Sequence, residues 1–315
     1  MRKFIQLGTF LFTIITMQGF AGDKVDQQLD VNGASHVSID NLRGKVIVTG
    51  WDQNSVSVNG EIDDEAKEFI FEKKDDEIII KVVMPRHMNG GWNKDGSNLN
   101  IQLPKNIRVD FTGVSSDVEL YDLHKSTQAK TVSGDIKVSE LSQHIELTTV
   151  SGEINSRNLA GKITLSTVSG RIVDKQSQGH LNLKAVSGDL NTHSTANEVS
   201  VNTVSGEIEL NLAEIDELLI STVSGDVDGR LSLNNNGLIK MSSVSGDLDL
   251  TFENDVQASF RLKANAGGDL VNRITEDKAI QAKYGPSSKL SFETGNANAS
   301  VKASTVSGRI KVSKK

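Results

Sequence analysis

The chain contains no cysteine, and aromatic residues make up only 4% of its 315 residues. Without cysteine the protein can form no disulfide bond and cannot carry the lipid-linked cysteine of a bacterial lipoprotein. Between Tyr121 and Phe252 there is no Phe, Tyr or Trp. Enzymes that act on sugars usually stack the rings on aromatic side chains, so this long stretch argues against a polysaccharide-processing enzyme.

The sequence has one apolar stretch near its N-terminus and no second one after it. Residues 1–21 have the pattern of a cleavable signal peptide: a positively charged start, an apolar stretch over 4–17 and a small-x-small cleavage site at 19–21. We therefore expect an exported protein that begins at Gly22 after cleavage and has no integral membrane span. Its expected location is the periplasm or the medium, and it is not a lipoprotein.

The protein is net acidic, with a formal charge of −7 at pH 7. Loss of Arg2 and Lys3 with the signal would take this charge to −9. Nucleic acids and anionic lipids are bound mainly by clustered Lys and Arg, so the net charge argues against both as partners.

One motif recurs along most of the chain. Val-Ser-Gly occurs eight times, each time followed by an acidic residue or Arg and then an aliphatic residue. The first four steps between copies are 18 residues long, and the next two, of 19 and 21, place their extra residues near 214–217 and 234–237. A fixed period of this size predicts a solenoid, in which neighbouring repeats stack and share one core. The glycines of the motif are Gly134, Gly152, Gly170, Gly188, Gly206, Gly225, Gly246 and Gly308.

Each repeat has the alternation of two short strands. Aliphatic or small residues flank the Ser-Gly corner at alternating positions, which in one coil are Ile163, Leu165, Thr167, Val168 and Ile172. This alternation predicts two strands per coil, each with one buried face. The spacing matches neither a left-handed hexapeptide helix nor a calcium-binding nonapeptide roll. We therefore predict an all-β fold, a single-chain parallel β-helix with about 18 residues per coil, right-handed because strand crossovers favour that hand.

The two ends of the chain depart from the repeat. Residues 22–104 contain several strand candidates out of register with it, and we interpret them as an N-terminal β cap that covers the open end of the stack. Residues 105–315 form the predicted solenoid. Its coils become irregular from about residue 251, and an excursion over 272–288 precedes the last copy of the motif.

The order of these features resembles a known family. The opening stretch over 44–52, a following Val-x-Val strand and the serial Ser-Gly corners are similar to the bacterial toastrack family of adhesin-like β-strand-repeat proteins, a domain of unknown function. The likeness covers nearly the whole mature chain. It implies a non-catalytic protein of the cell envelope, with relatives linked to envelope stress or adhesion, and it assigns no binding residue to this chain.

The repeat also places like residues in columns, none of which predicts catalysis. The serines of the motif form one column, but a nucleophilic serine needs a base, and none recurs beside them. Hydrogen bonding in the turn explains this column. His144 and His180 share another column with Lys162 between them, about 10 Å apart and too far to bind one metal ion. We expect no enzymatic activity and no firm metal site or cofactor.

One surface carries more charge than the fold requires. Six carboxylates form a two-by-three grid on the last regular coils: Glu207, Glu209, Asp226, Asp228, Asp247 and Asp249. Neighbours in this grid lie about 5 Å apart and repel one another by roughly 1 kcal/mol in water. The grid either binds Ca²⁺ or a cationic partner, such as a basic peptide or an envelope protein, or it is a charged surface that keeps the protein soluble.

Trp92 is a second candidate for partner contact. It lies in a polar loop over 85–97, where a large aromatic side chain has no evident core to enter. It either contacts a partner or a membrane surface, or it folds back onto the predicted cap.

Together these patterns predict a non-enzymatic, exported envelope protein that acts as a binding or scaffolding β-solenoid. A periplasmic or secreted polysaccharide-processing β-helix enzyme is the alternative, and a surface adhesin is a third interpretation. Neither the partner nor the oligomeric state follows from the sequence.

Overall fold

The computed structural model describes residues 24–86 and 96–315, and the predicted signal peptide over 1–21 lies outside them. The described residues form strands and turns without a helix, so no helix among them could cross a membrane. The predicted all-β solenoid is confirmed. Its strands are β1 (Lys24–Asp30), β2 (His36–Trp51), β3 (Ser55–Glu61), β4 (Glu68–Lys74), β5 (Glu77–Val83), β6 (Ser97–Pro104), β7 (Arg108–Leu123), β8 (Thr127–Lys130), β9 (Ile136–Thr148), β10 (Ile154–Arg157), β11 (Ala160–Ser166), β12 (Ile172–Lys175), β13 (Gln178–Lys184), β14 (Leu190–Ser194), β15 (Glu198–Asn202), β16 (Glu207–Ser221), β17 (Asp226–Ser242), β18 (Leu248–Phe252), β19 (Ala258–Ala264), β20 (Leu270–Arg273), β21 (Ile280–Gln281), β22 (Ser288–Glu293), β23 (Ala299–Thr305) and β24 (Ile310–Lys314).

Most strands stack in parallel on the strand of the preceding coil. β10 pairs with β12 so that Ile154 lies beside Ile172, and β12 pairs with β14 so that Ile172 lies beside Leu190. On the other side of the coil, β11 pairs with β13 and Ile163 lies beside Leu181. We call the side that contains Ile163 face A and the side that contains Ile154 face B. Each coil therefore contributes one extended segment to each face, and in some coils, such as that of β17, a single long strand supplies both segments.

The two faces enclose one continuous apolar core. Strand alternation turns every second residue inward, and most of these inward residues are Ile, Leu or Val. Ile136, Ile154 and Ile172 on face B are fully buried, as are Ile163 and Leu165 on face A. Burial of each such side chain contributes about 1.5–3 kcal/mol. Because the contacts run from coil to coil, each repeat is stabilised mainly by its neighbours.

The repeated corner has its own hydrogen-bonding pattern. The buried threonine three residues before the glycine accepts a hydrogen bond from the glycine N–H, as at Thr149 and Gly152, where the distance is 3.0 Å. The serine N–H donates to the valine carbonyl of the preceding coil, as from Ser151 to Val132 at 2.9 Å. The corner is thus held both within its own coil and to the coil before it.

The valine of the corner lies outside the core, which corrects its assignment to the buried positions of the coil. All eight copies are exposed, from 39% at Val150 to 47% at Val204. The preceding threonine turns inward because its hydroxyl accepts the glycine N–H, and the next side chain in an extended chain points the opposite way. The valines therefore form an exposed stripe along one edge of the solenoid.

The opposite corner relies on residues in the left-handed backbone region. Glu140, Asn158 and Gln176 have φ values of 58°, 53° and 59°. This corner also absorbs an insertion, because the register between β16 and β17 shifts near Glu214 and Glu217. The shift lies where the longer repeat step predicts an extra residue. Additional residues at this corner leave the pairing of the flanking strands intact.

Strands from the predicted cap region join the stack itself. β2 pairs in parallel with β7, so Gly44 lies beside Ser116 at the start of the column of corner residues. β5 and β6 pair in parallel with the other side of β2. Beyond them lie β1, β3 and β4, each antiparallel to its neighbour. Long excursions separate these partners in the sequence, so their strand pattern does not follow the period of the repeat.

The C-terminal coils stack out of sequence order. β23 lies between β17 and β19, and β24 lies between β18 and β20. β22 then pairs antiparallel with β19, and β21 pairs antiparallel with β22 at the outer edge. The last segment of the chain therefore fills a space between two coils that precede it in sequence.

We expect Gly152→Ala to lower the free energy of unfolding by at least about 2 kcal/mol. A Cβ at this position would lie 1.9 Å from the carbonyl oxygen of Gly134, so the backbone of one coil would have to move. Urea unfolding measures the loss. Gly33→Ala is the control, because no atom lies within 4 Å of a Cβ there although its φ is +84°. Equal losses in the two variants would contradict the close-approach explanation.

Candidate functional site

The six carboxylates predicted as a grid lie on face B, on β16, on β17, and on β18 together with the residue just before it. Glu207 lies beside Asp226, and Glu209 lies beside Asp228. Asp228 in turn lies beside Asp249. Adjacent strands are about 4.8 Å apart, so the carboxylates form a regular array. We call this array the acidic face; its members are Glu207, Glu209, Asp226, Asp228, Asp247 and Asp249.

The last row of the acidic face is paired by the chain's own C-terminal coil. Arg309 Nη2 lies 3.0 Å from Asp247 Oδ2, and Lys311 Nζ lies 2.8 Å from Asp249 Oδ2. Lys311 is also the register partner of Asp249. The coil of β23 and β24, which is inserted between two earlier coils, thus presents two basic residues where the preceding coils present acids. At this end of the acidic face, the carboxylates are already paired with basic side chains of the same molecule.

The other four carboxylates have weaker compensation. Glu209 accepts a hydrogen bond from Asn191 Nδ2 at 2.6 Å, and Asp228 Oδ1 lies 3.8 Å from Arg230 Nε. In the part of the chain that the structure describes, no three acidic, histidine or cysteine side chains converge closely enough to hold a metal ion. These four carboxylates are therefore the least compensated part of the acidic face.

The aspartates of the first acidic column also hold adjacent coils together. Asp226 Oδ1 accepts a hydrogen bond from the N–H of Asp247 in the next coil at 2.8 Å. Four further aspartates at this position make the same contact: Asp117, Asp135, Asp189 and Asp247. Where the position holds Glu or Arg, as at Glu207, the described residues contain no such bond. The shorter aspartate side chain places its oxygen at the distance of the next backbone N–H.

Face B also bears shallow polar grooves between the side chains of adjacent coils. One is lined by Glu153, Arg171, Asp189 and neighbouring serines. A second lies between Arg171 and the start of the acidic face, with Lys175 and Glu207 among its lining residues. Arg171 Nη2 lies 3.8 Å from Asp189 Oδ2, so charges of both signs alternate here. This mixture favours surface contacts over capture of a small molecule.

The other residues singled out in the sequence do not join the acidic face. Lys162 lies in register between His144 and His180, as the repeat predicts, and His180 Nδ1 lies 2.7 Å from a carboxylate oxygen of Glu198. This contact is an exposed hydrogen bond on face A. Trp92 lies outside the described residues, and its role stays a prediction.

The sequence reasoning missed a buried carboxylate, Asp174, on face B of the solenoid. Asp174 accepts hydrogen bonds from the hydroxyls of Ser156, Ser177 and Thr192 at 2.6, 2.5 and 3.0 Å. Burial raises the pKa of Asp174 above its usual range, and the three hydroxyl hydrogen bonds oppose that rise. Strand alternation could have indicated that Asp174 points inward, because the same position in a later coil holds the buried Leu210.

We expect Asp226→Ala to lower the free energy of unfolding by about 0.5–1.5 kcal/mol, because the Asp247 N–H loses its acceptor. Asp226→Asn should retain most of the stability, since its amide oxygen can accept the same hydrogen bond. Urea unfolding of the two variants checks both expectations. If both lose the same stability, the charge and not the hydrogen bond is responsible.

We expect Asp174→Asn to stabilise the protein at neutral pH and to have a smaller effect in acid. Because folding raises the pKa of Asp174, the native state favours the protonated side chain. Its contribution to stability is fully present below the ordinary aspartate pKa of about 4 and is lost as the pH rises through the raised native value. Asparagine is neutral throughout and keeps an acceptor for Ser156 and Ser177. Unfolding free energies measured as a function of pH test this, and a pH-independent difference would contradict it.

Comparison with known proteins agrees with the repeat architecture. The family pattern described as Toastrack DUF4097 matches residues 26–313. Curated proteins contain no match. A crystal structure of a proposed cell adhesion protein from Clostridium sporogenes is 16% identical, with coverage of 93% of this chain and 100% of that one and a TM-score of 0.22. A crystal structure of a proposed lipid binding protein from Parabacteroides distasonis is 13% identical, with coverage of 92% and 97% and a TM-score of 0.48. Neither of these structural similarities bears on function. The family pattern spans nearly the whole chain, and the protein therefore belongs to the Toastrack family.

Proposed function

We propose that this protein is a non-enzymatic, exported β-solenoid of the bacterial envelope that binds or scaffolds a partner with a basic surface. The observation that carries the proposal is the pairing of Arg309 and Lys311 with Asp247 and Asp249. It supports a binding mode in which basic side chains two residues apart on an extended segment meet two acids two residues apart on a strand of face B.

The remaining rows of the acidic face have the same spacing of acids along the strand. Glu207 and Glu209 lie two residues apart on β16, and Asp226 and Asp228 lie two residues apart on β17. Alternate residues of a strand are about 7 Å apart, which is also the spacing of alternate Lys or Arg residues in an extended peptide. Exposed ion pairs contribute only about 0–1 kcal/mol each, so binding needs several of them and weakens with salt.

A polysaccharide-processing enzyme is the weaker interpretation. The aspartates that could act as acid or base in the first acidic column are hydrogen-bonded from coil to coil, as Asp226 is to Asp247. The corner serines lie in turns whose backbone groups bond the preceding coil. Export rests on the sequence over 1–21. The right-handed winding and the cap function of the N-terminal strands stay predictions.

Crosslinking in intact cells tests the proposal. We expect wild-type protein to capture an envelope protein with a basic surface, through sites on β16 and β17. The variant Glu207→Gln/Asp226→Asn/Asp247→Asn should lose this partner while it keeps the hydrogen-bond acceptors of the column. Fractionation of the same cells should find the protein in the periplasm or medium.

The matched control is Glu61→Gln/Glu68→Gln/Glu72→Gln, which removes three exposed carboxylates near the N-terminal end. It should capture the same partner as wild type. Unchanged capture by the acidic-face variant would leave that face as a surface for solubility and overturn the proposed binding mode.

A further inference from the structure

A second charged surface, of opposite sign, lies on face A near the C-terminal end. Lys302 lies in register between Lys240 and Arg261, so three cations occupy adjacent positions on three strands. Lys263 lies beside Lys289 on the next pair of strands. All five side chains are exposed. We call these five residues the basic patch.

The basic patch has no compensating charge of its own. None of its five side chains forms an ion pair or a hydrogen bond with any residue in the described ranges. Like charges on adjacent strands repel by roughly 1 kcal/mol in water. The nearest carboxylates in the register, Glu217 and Glu293, lie at its rim beside Leu238 and Ser259. The formal net charge of −7 argues against anionic lipid for the protein as a whole, but positive charge is concentrated locally on this part of face A.

Two large exposed side chains lie at the same outer edge of the stack, Ile280 on β21 and Tyr284 in the segment that joins β21 to β22. Ile280 is the register partner of Lys289, so both side chains lie on the same side of the sheet. Ile280 is 76% exposed and Tyr284 is 85% exposed, the highest values among the large apolar residues of the described ranges. Lys283 Nζ lies 5.5 Å from the centre of the Tyr284 ring. Exposed tyrosine and aliphatic side chains beside lysines are typical of contacts with the headgroup region of a membrane.

The charges on the two faces would orient the molecule at such a surface. β17 carries Asp226 and Asp228 on face B and Lys240 on face A, so the same coil is acidic on one side and basic on the other. A negatively charged plane attracts the basic side and repels the acidic side. A soluble polyanion would also engage the cations, but it would leave the exposed Ile280 and Tyr284 without a role.

We propose that the basic patch, with Ile280 and Tyr284 at its edge, docks the C-terminal end of the solenoid onto an anionic lipid membrane. The lysines and arginine contact lipid phosphates, and the two apolar side chains enter the headgroup region. This docking leaves the acidic face directed away from the lipid. It is independent of the proposed function, because it uses different residues on the opposite face.

Sedimentation with lipid vesicles tests the proposal. The purified protein should bind vesicles of mixed phosphatidylcholine and phosphatidylglycerol, and this binding should weaken with salt. Vesicles of phosphatidylcholine alone should bind far less. Lys240→Gln/Lys263→Gln/Lys302→Gln should lower the affinity for anionic vesicles on the order of a hundredfold. Ile280→Ser/Tyr284→Ser should lower it roughly tenfold and leave the salt dependence unchanged.

The matched control is Lys125→Gln/Lys162→Gln/Lys184→Gln. It removes the same charge from exposed lysines that are scattered over other coils, and it should bind as wild type does. The N-terminal residues are the same in every variant, so any contribution that they make to vesicle binding is also the same. Differences in binding among the variants therefore report on the substituted positions. If the patch variant loses its folded structure, Arg261→Gln/Lys289→Gln takes its place.

Three results would overturn the proposal. The first is equal binding by the patch and control variants. The second is equal binding of wild type to neutral and anionic vesicles. The third is binding to heparin, a soluble polyanion, without binding to anionic vesicles, which would assign the patch to a polyanionic partner.

Discussion

The rest of the structure depends on close backbone contact between successive coils at the Thr-Val-Ser-Gly corner. The Gly152 Cα approaches the carbonyl of Gly134 so closely that a Cβ has no room, and the Ser151 N–H bonds the preceding coil. Any side chain at the glycine would separate the coils there and strain the flanking strands. The constraint holds the coils in one register, and this register brings like side chains into columns.

Because the coils stack in register, the residue type at one position of the repeat determines the chemistry of a whole strip of surface. An acid at one position becomes a row of acids, which is why Glu207 and Asp226 lie side by side. The fold offsets part of the resulting repulsion. Aspartates in the column accept backbone N–H groups of the next coil, and basic residues of the inserted coil pair with the last row. The acidic face is therefore partly a structural feature, and its other carboxylates are exposed to solvent.

The order of the C-terminal coils decides which charges meet on the two faces. If the coils stacked in sequence order, Asp269 would occupy the place beside Asp247. In the observed order Arg309 occupies it and pairs with that carboxylate, and Asp269 lies one coil further out. The same insertion places Lys302 between Lys240 and Arg261 on the opposite face. One exchange of order thus pairs Asp247 with a basic side chain on face B and adds Lys302 to the basic patch on face A.

The sequence by itself determined the features that repeat locally: the all-β solenoid, the alternation of buried residues, the acidic grid and the site of the insertion near Glu214. Periodicity carries these features because each residue meets its counterpart one repeat away. Only the tertiary structure decided that the corner valines face solvent, that β2 stacks on β7, and that Arg309 pairs with Asp247. The pairings join residues separated by several repeats or taken out of order, and the direction of a corner side chain depends on which hydroxyl bonds the glycine. Such features arise from packing between distant segments, which no periodic pattern records.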